Sequence, residues 1–176
     1  MTNVQPISFS LNGQPVEMEI PAHTLLIDLI RDRIGLKGTK RSCDMEVCGA
    51  CTMLLDGDPI SSCTTLAVDV DGKEITTIEG VTPPNGLSRI QKAFVLHGGL
   101  QCGFCTPGFI MAVTALLKAN PHPTDEEIRH YLHGNLCRCT GYIKIFEAVK
   151  SLAAEQVSED AALPAARQRN FRLEIS

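Results

Sequence analysis

The sequence has no tryptophan, two tyrosines and no excess of basic residues. With 16 lysines and arginines against 20 aspartates and glutamates, its formal charge is −4, and nothing in that balance asks for a nucleic-acid partner. Long apolar runs are missing too. The longest candidate, Phe109–Leu117, is interrupted by Thr114 and falls well short of the roughly 20 apolar residues a membrane span needs. Met1–Ser10 lacks a basic stretch followed by an apolar one, so no secretory signal is expected there. The remaining composition, 44% hydrophobic and 20% charged over 176 residues, is that of a soluble chain with one domain or two small ones. Against these absences stand eight cysteines. Without a signal, eight thiols point to metal rather than to disulfides.

The cysteines divide into two sets of four, with none left over. Cys43, Cys48, Cys51 and Cys63 read C-x4-C-x2-C-x11-C, and Cys102, Cys105, Cys137 and Cys139 read C-x2-C-x31-C-x-C. The first spacing is the plant-type [2Fe–2S] pattern. A two-iron cluster needs four converging thiolates, and one folded loop supplies three of them. Gly49, inside Cys48-Gly-Ala-Cys51, stands where a side chain would crowd the cluster and where an unusual φ is expected. Backbone N–H groups of such a loop are free to face the cluster's negative charge. Cys102-Gly-Phe-Cys105 repeats the device. Structural zinc is the main competing reading, because C-x2-C is also a zinc half-site, although the x4 spacing and the C-x-C pair suit it less well. A disulfide framework needs an oxidising compartment. A histidine-ligated cluster would strand two cysteines, and His130 and His133 read as solvated helix positions.

The N-terminal part reads as strands. Ile7, Phe9 and Leu11 alternate with polar residues, Asn12-Gly13 is a hairpin signal, and Val16, Met18 and Ile20 alternate again. Thr24 is expected to cap a helix over Leu25–Ile34 that Gly35 ends. After the ligand loop Leu36–Cys51, strands are expected near Thr52–Leu55, Pro59–Ser62 and Glu74–Ile78, the first two turning at Asp56-Gly57. The class is α+β, a small sheet with a cluster loop at its edge. Pro83-Pro84-Asn85-Gly86 then punctuates the chain. Four helices are predicted beyond it. One surrounds Leu87–Val95, one covers Gly108–Ala119 after Pro107, one opens at a capping box Thr124–Glu127, and one covers Tyr142–Glu155. Helix starts after Cys105 and Cys139 would favour nearby negative charge. The expected division is a cluster-binding unit over 1–82, a linker over 83–86, a helical unit over 87–155 and a tail over 156–176. The tail reads either as disordered or as an arm docked on a partner.

Both cysteine patterns, in this order, resemble the small iron–sulfur subunit of the xanthine dehydrogenase and aldehyde oxidase family of molybdenum hydroxylases. The match is carried by Cys43-x4-Cys48-Gly-Ala-Cys51-Thr with Asp56-Gly57 and Cys63, by Gln101-Cys-Gly-Phe-Cys105-Thr-Pro-Gly108, and by Asn135-Leu-Cys137-Arg-Cys139-Thr-Gly-Tyr142. It spans about Ile7 to Leu152. The resemblance implies an N-terminal plant-ferredoxin-like β-grasp domain followed by a C-terminal all-α four-helix [2Fe–2S]-binding domain. It also implies an electron-transfer subunit of a multi-subunit molybdenum hydroxylase, relaying electrons from a molybdopterin site through two [2Fe–2S] clusters to FAD. Gln101 and Cys139 match positions that contact the pterin, so Cys139 would be both ligand and contact. The implied partners are a large molybdopterin-binding subunit and a medium FAD-binding subunit, assembled as a dimer of heterotrimers. No substrate-converting site is expected in this chain. The expected compartment is the cytoplasm, with export beside a signal-bearing partner left open. The alternative reading is a free-standing two-cluster ferredoxin-like electron carrier, which would purify alone.

Two positions depart from the family's pattern. Ser42 stands where glycine is usual, and Glu46 where glycine or serine is frequent. Pointing inward, the Glu46 carboxylate would disfavour cluster reduction; facing solvent, the expected orientation, it is screened. His97 beside Gly98-Gly99 reads as a helix end rather than a base, and Gly35-Leu-Lys-Gly-Thr-Lys40 misses the phosphate-loop spacing.

Overall fold

Alternation in β1 (Val4–Leu11) places Ile7, Phe9 and Leu11 on one buried face, and a two-residue turn folds the strand onto β2 (Gln14–Pro21) with Leu11 opposite Gln14. Asn12 and Gly13 take φ values of 52° and 77°, as a type I′ turn requires at both positions. The computed structural model describes residues 3–155, so the tail over 156–176 lies outside the described residues. A second hairpin joins β3 (Thr52–Leu55) to β4 (Asp58–Ser61) through Asp56 and Gly57. With β5 (Glu74–Thr76), these form, among the described residues, a five-stranded sheet in the order β2-β1-β5-β3-β4, in which β1 and β5 run parallel and the other neighbours antiparallel. β5 stops two residues before the expected Ile78. The N–H of Thr77 is taken by the Asn12 side chain at 2.8 Å, which ends the ladder.

The first helix is present but opens differently from expectation. α1 (Leu26–Asp28) continues as a π-helical segment, Leu29–Ile34, closed by Gly35 at φ 95°. Thr24 does not cap it; the N-cap is Leu25, with no side-chain hydrogen bond. The N–H groups of Leu26 and Ile27 donate instead to the carbonyls of Thr65 (2.8 Å) and Ser62 (3.1 Å). A neighbouring loop thus satisfies the donors that a capping side chain would otherwise serve. That loop leads into a short 3₁₀ turn, Ala67–Val70, which the alternation does not announce.

The C-terminal part holds α2 (Arg89–Leu96), α3 (Thr106–Ala119), α4 (Asp125–Tyr131) with a 3₁₀ extension Leu132–Gly134, and α5 (Ile143–Ala153). Thr124 and Glu127 form the expected capping box, and Ser88 with Gln91 forms a second one. α3 starts directly after Cys105, two residues earlier than Gly108, with Pro107 in its first turn.

β3 joins two cores. Met53 packs with Phe9, Ile20, Leu26 and Ile30 on the α1 side of the sheet, whereas Leu54 packs with Phe109, Val113, Leu116 and Val149 of the helices. A period of two sends neighbouring side chains to opposite faces, so one strand is buried on both. Burial of a side chain of this size contributes roughly 1.5–3 kcal/mol. The chain is therefore an α+β structure in which the sheet and the helices share a strand.

Candidate functional site

Cys43, Cys48 and Cys51 lie between the π-helical segment and β3, and Cys63 follows β4. The loop is pinned from the helix. Arg31 donates to the carbonyls of Lys37 (3.0 Å) and Thr39, and Arg41 pairs with Asp28 and with Asp44 (2.9 Å). Positive φ values at Asp44, Glu46 and Gly49 curl the backbone. The N–H groups of Met45 and Val47 then face the Cys43 sulfur and hold its thiol down to about 6. The register Thr52↔Ser61 brings Cys51 and Cys63 together at the open end of the β3–β4 hairpin, against Ile27. Both are buried, and burial pushes the Cys51 thiol up to about 12. Side chains neighbour one another in twos here: Cys43 with Cys48, Cys51 with Cys63.

The second set comes from two loops between helices. Cys102 precedes α3 and Cys105 is its N-cap, while Cys137 and Cys139 lie before α5. The Sγ atoms of Cys102 and Cys139 are 3.5 Å apart at the exposed edge, and Cys105 adjoins Cys137 deeper in. Burial pushes the Cys105 thiol up to about 12. Burial also raises Cys137, but hydrogen bonds outweigh it and hold this thiol below its ordinary range. The chief donors are the hydroxyl and amide of Thr140, 3.1 and 3.4 Å from Cys137 Sγ. Tyr142 opens α5 at φ 69° and turns its ring back, where its hydroxyl accepts from the Cys137 N–H at 3.1 Å and the ring meets Phe109 edge-on.

The two loops touch. The N–H of Leu136 donates to the Cys48 carbonyl at 2.9 Å, and the buried Asn135 donates from Nδ2 to the Gly49 carbonyl at 3.2 Å. Gly49 has φ +66°, and a β-carbon there would lie 2.4 Å from Asn135 Nδ2 and 2.5 Å from the Gly134 carbonyl oxygen. The nearest protein atoms that a side chain there would meet belong to the distant C-terminal loop. A cavity of about 530 Å³ opens between the loops, bordered by Cys48, Ala50, Cys102, Cys105, Cys137 and Cys139.

Gln101 is exposed and directly precedes Cys102, whose Sγ lies 3.5 Å from that of Cys139. Glu46 is exposed and accepts from the Thr64 hydroxyl at 3.3 Å, the solvent-facing placement expected of it. His130 and His133 are exposed, and His97 is the C-cap of α2. Asn135, Thr140 and Tyr142 are supporting residues that spacing alone did not single out, although all three stand inside the Asn135–Tyr142 motif.

None of the eight cysteines is in a disulfide. Among the described residues no three His, Cys, Asp or Glu side chains form a single-ion site; the thiols stand in four neighbouring pairs, two per set. That donor set fits a two-iron cluster, which takes two thiolates on each iron. The N–H groups facing Cys43 and the α3 N-terminus at Cys105 add positive partial charge for an anionic group.

Two family models match the chain. One, described as a 2Fe-2S iron-sulfur cluster binding domain, covers residues 17–95, and the other, a [2Fe-2S] binding domain, covers residues 77–150. The caffeine dehydrogenase subunit gamma of Pseudomonas sp. (strain CBB1) is 46% identical over 150 residues, covering 84% of this chain and 90% of that protein. The nicotine 6-hydroxylase small subunit of Paenarthrobacter nicotinovorans is 49% identical over 143 residues, covering 81% and 86%. A chain of quinoline 2-oxidoreductase from Pseudomonas Putida 86 superposes with a TM-score of 0.83 at 42% identity, covering 87% of this chain and 94% of that one.

Proposed function

Because the chain belongs to the family of small [2Fe–2S] iron–sulfur subunits of molybdenum hydroxylases of the xanthine dehydrogenase and aldehyde oxidase type, we propose that it is the electron-transfer subunit of such an enzyme, linking a molybdopterin site on one partner to FAD on another. Cys43, Cys48, Cys51 and Cys63 hold the first cluster, and Cys102, Cys105, Cys137 and Cys139 hold the second. When bound, these clusters supply one-electron carriers. The chain's own residues orient the thiolates, direct N–H groups at them and keep Cys51 and Cys63 dry.

In this reading residues 1–82 are the plant-ferredoxin-like β-grasp unit, 83–86 a linker and 87–155 the four-helix [2Fe–2S] unit. Gln101 and Cys139 face the pterin held by a large subunit, and a medium subunit carries FAD. The assembly is a dimer of heterotrimers in the cytoplasm. Among the described residues no helix is long and apolar enough to cross a membrane. One observation supports the relay above the others: the loops of the two cysteine sets are joined directly, Leu136 N–H to Cys48 carbonyl.

The test is isolation of the tagged chain from its native host. Two larger chains, one carrying FAD and one carrying the molybdenum cofactor, should copurify in equal amounts. A chain that elutes alone with both clusters bound would favour the free-standing carrier instead.

A further inference from the structure

Resting on the two-cluster reading, we propose that Thr140 is a positioning residue that sets the reduction potential of the second cluster through the sulfur of Cys137. Four of the eight cysteines are followed directly by threonine: Thr52, Thr64, Thr106 and Thr140. The hydroxyl of Thr52 is spent on the Gly49 carbonyl at 2.7 Å, and that of Thr64 lies within reach of the Ser61 carbonyl (3.2 Å) and of Glu46 (3.3 Å). Thr140 differs, because its hydroxyl reaches a cysteine sulfur, Cys137 Sγ, at 3.1 Å.

The surroundings fix the direction of that hydrogen bond. Thr140 Oγ1 accepts from the Tyr142 N–H at 3.2 Å, and the Cys137 N–H in turn donates to the Tyr142 hydroxyl at 3.1 Å. The three residues therefore close a ring of hydrogen bonds. A hydroxyl has a single proton and two acceptor lone pairs, one of them used by Tyr142; a cluster-bound Cys137 thiolate carries no proton, so the proton in the contact between them is that of Thr140. The Thr140 amide, 3.4 Å from the same sulfur, is a second donor.

Reduction places extra negative charge on a cluster and its thiolates. A donor at sulfur stabilises the reduced form more than the oxidised one and so raises the potential. Cys137 is half-buried, so water replaces a deleted donor poorly. The affected sulfur also belongs to the residue next to Leu136, whose N–H is bonded to Cys48. Thr140 thus biases how one electron is shared between the two clusters, holding it on the second.

The complete complex carrying T140V, T140A or T140S is titrated with reductant while the two cluster signals are followed by low-temperature EPR. In T140V and T140A the reduced-to-oxidised ratio of the second cluster at a fixed potential should fall about tenfold, equivalent to about 60 mV for one electron. The first cluster should stay put, and T140S should keep the unaltered value. An unshifted second cluster in T140V and T140A overturns the proposal, as does a T140S shift as large as that of T140V. Loss of the second cluster in both T140V and T140A overturns it too, because Thr140 would then be needed to hold the site rather than to tune it. Failure of the underlying reading looks different: the unaltered complex itself would lack a second signal, and both readings would fall together.

Discussion

The N–H of Leu136 donates to the carbonyl of Cys48 at 2.9 Å, which bonds the residue before Cys137 to a member of the first cysteine set. Asn135 and Gly49, one position earlier and one later, form the adjoining bond. Two loops that are 86 residues apart in the chain are thereby held in contact where each carries cysteine ligands. The sheet and the helices are also tied by Leu54, which β3 contributes to the helical core. Packing and hydrogen bonding thus agree on one relative placement of the two sites.

Gly108 tests that placement by the sign of a substitution. Glycine to alanine within a helix ordinarily stabilises by roughly 0.8–1 kcal/mol. At Gly108 the new β-carbon would lie 2.1 Å from the Gly49 carbonyl oxygen. That contact forces the first cysteine loop away from α3, and overpacking of this kind costs about 1–3 kcal/mol. G108A should lower the urea midpoint; an unchanged or raised midpoint would contradict the packed loop contact.

Asn135 should show graded effects. The Gly49 carbonyl also accepts from the Thr52 hydroxyl (2.7 Å) and N–H (3.3 Å), so it is not stranded when Asn135 is cut back. N135A is expected to cost about 1 kcal/mol, the net worth of one hydrogen bond. N135D should cost more, because it sets a carboxylate against a carbonyl oxygen in a buried place. Equal midpoints for the two variants in urea unfolding would argue against the Nδ2 donor assigned here.

Much of this was legible before the structure. Asn12-Gly13 and Asp56-Gly57 turn their hairpins because both positions of each pair take positive φ, and the Thr124–Glu127 box opens α4 from four residues of sequence. Both sets of cysteines could be grouped by spacing. Their pairing inside each set could not, since the β3–β4 register brings Cys63 to Cys51, and the loops before α3 and α5 meet to bring Cys139 to Cys102. Thr24 misled for a similar reason: it has the chemistry of a cap, but carbonyls of Ser62 and Thr65 reach the helix donors first. The Gly49 φ was foreseeable from its motif, whereas the neighbour that crowds it, Asn135, arrives only through tertiary contact.

Thiol reactivity of the cluster-free chain should follow the local fields. Hydrogen bonds from Met45 and Val47 hold Cys43 near 6, whereas burial keeps Cys51 and Cys105 near 12. At pH 7 iodoacetamide should therefore label Cys43 first and Cys51 and Cys105 last, with labelling of Cys43 half-maximal near pH 6. The sign for stability follows. A thiol whose folded value is depressed contributes fully above its ordinary value of about 8.5 and loses that contribution as pH falls through about 6. Peptide mapping by mass spectrometry checks the order, and uniform labelling at pH 7 would contradict it.

Whether two sets of four thiols hold two [2Fe–2S] clusters is read from iron, zinc and acid-labile sulfide per chain, combined with low-temperature EPR of the reduced, anaerobically purified protein. About four irons and four sulfides with two distinguishable signals are predicted, with Cys48→Ser removing one signal and Cys105→Ser the other. Zinc without sulfide, or a single signal that survives both substitutions, would contradict it.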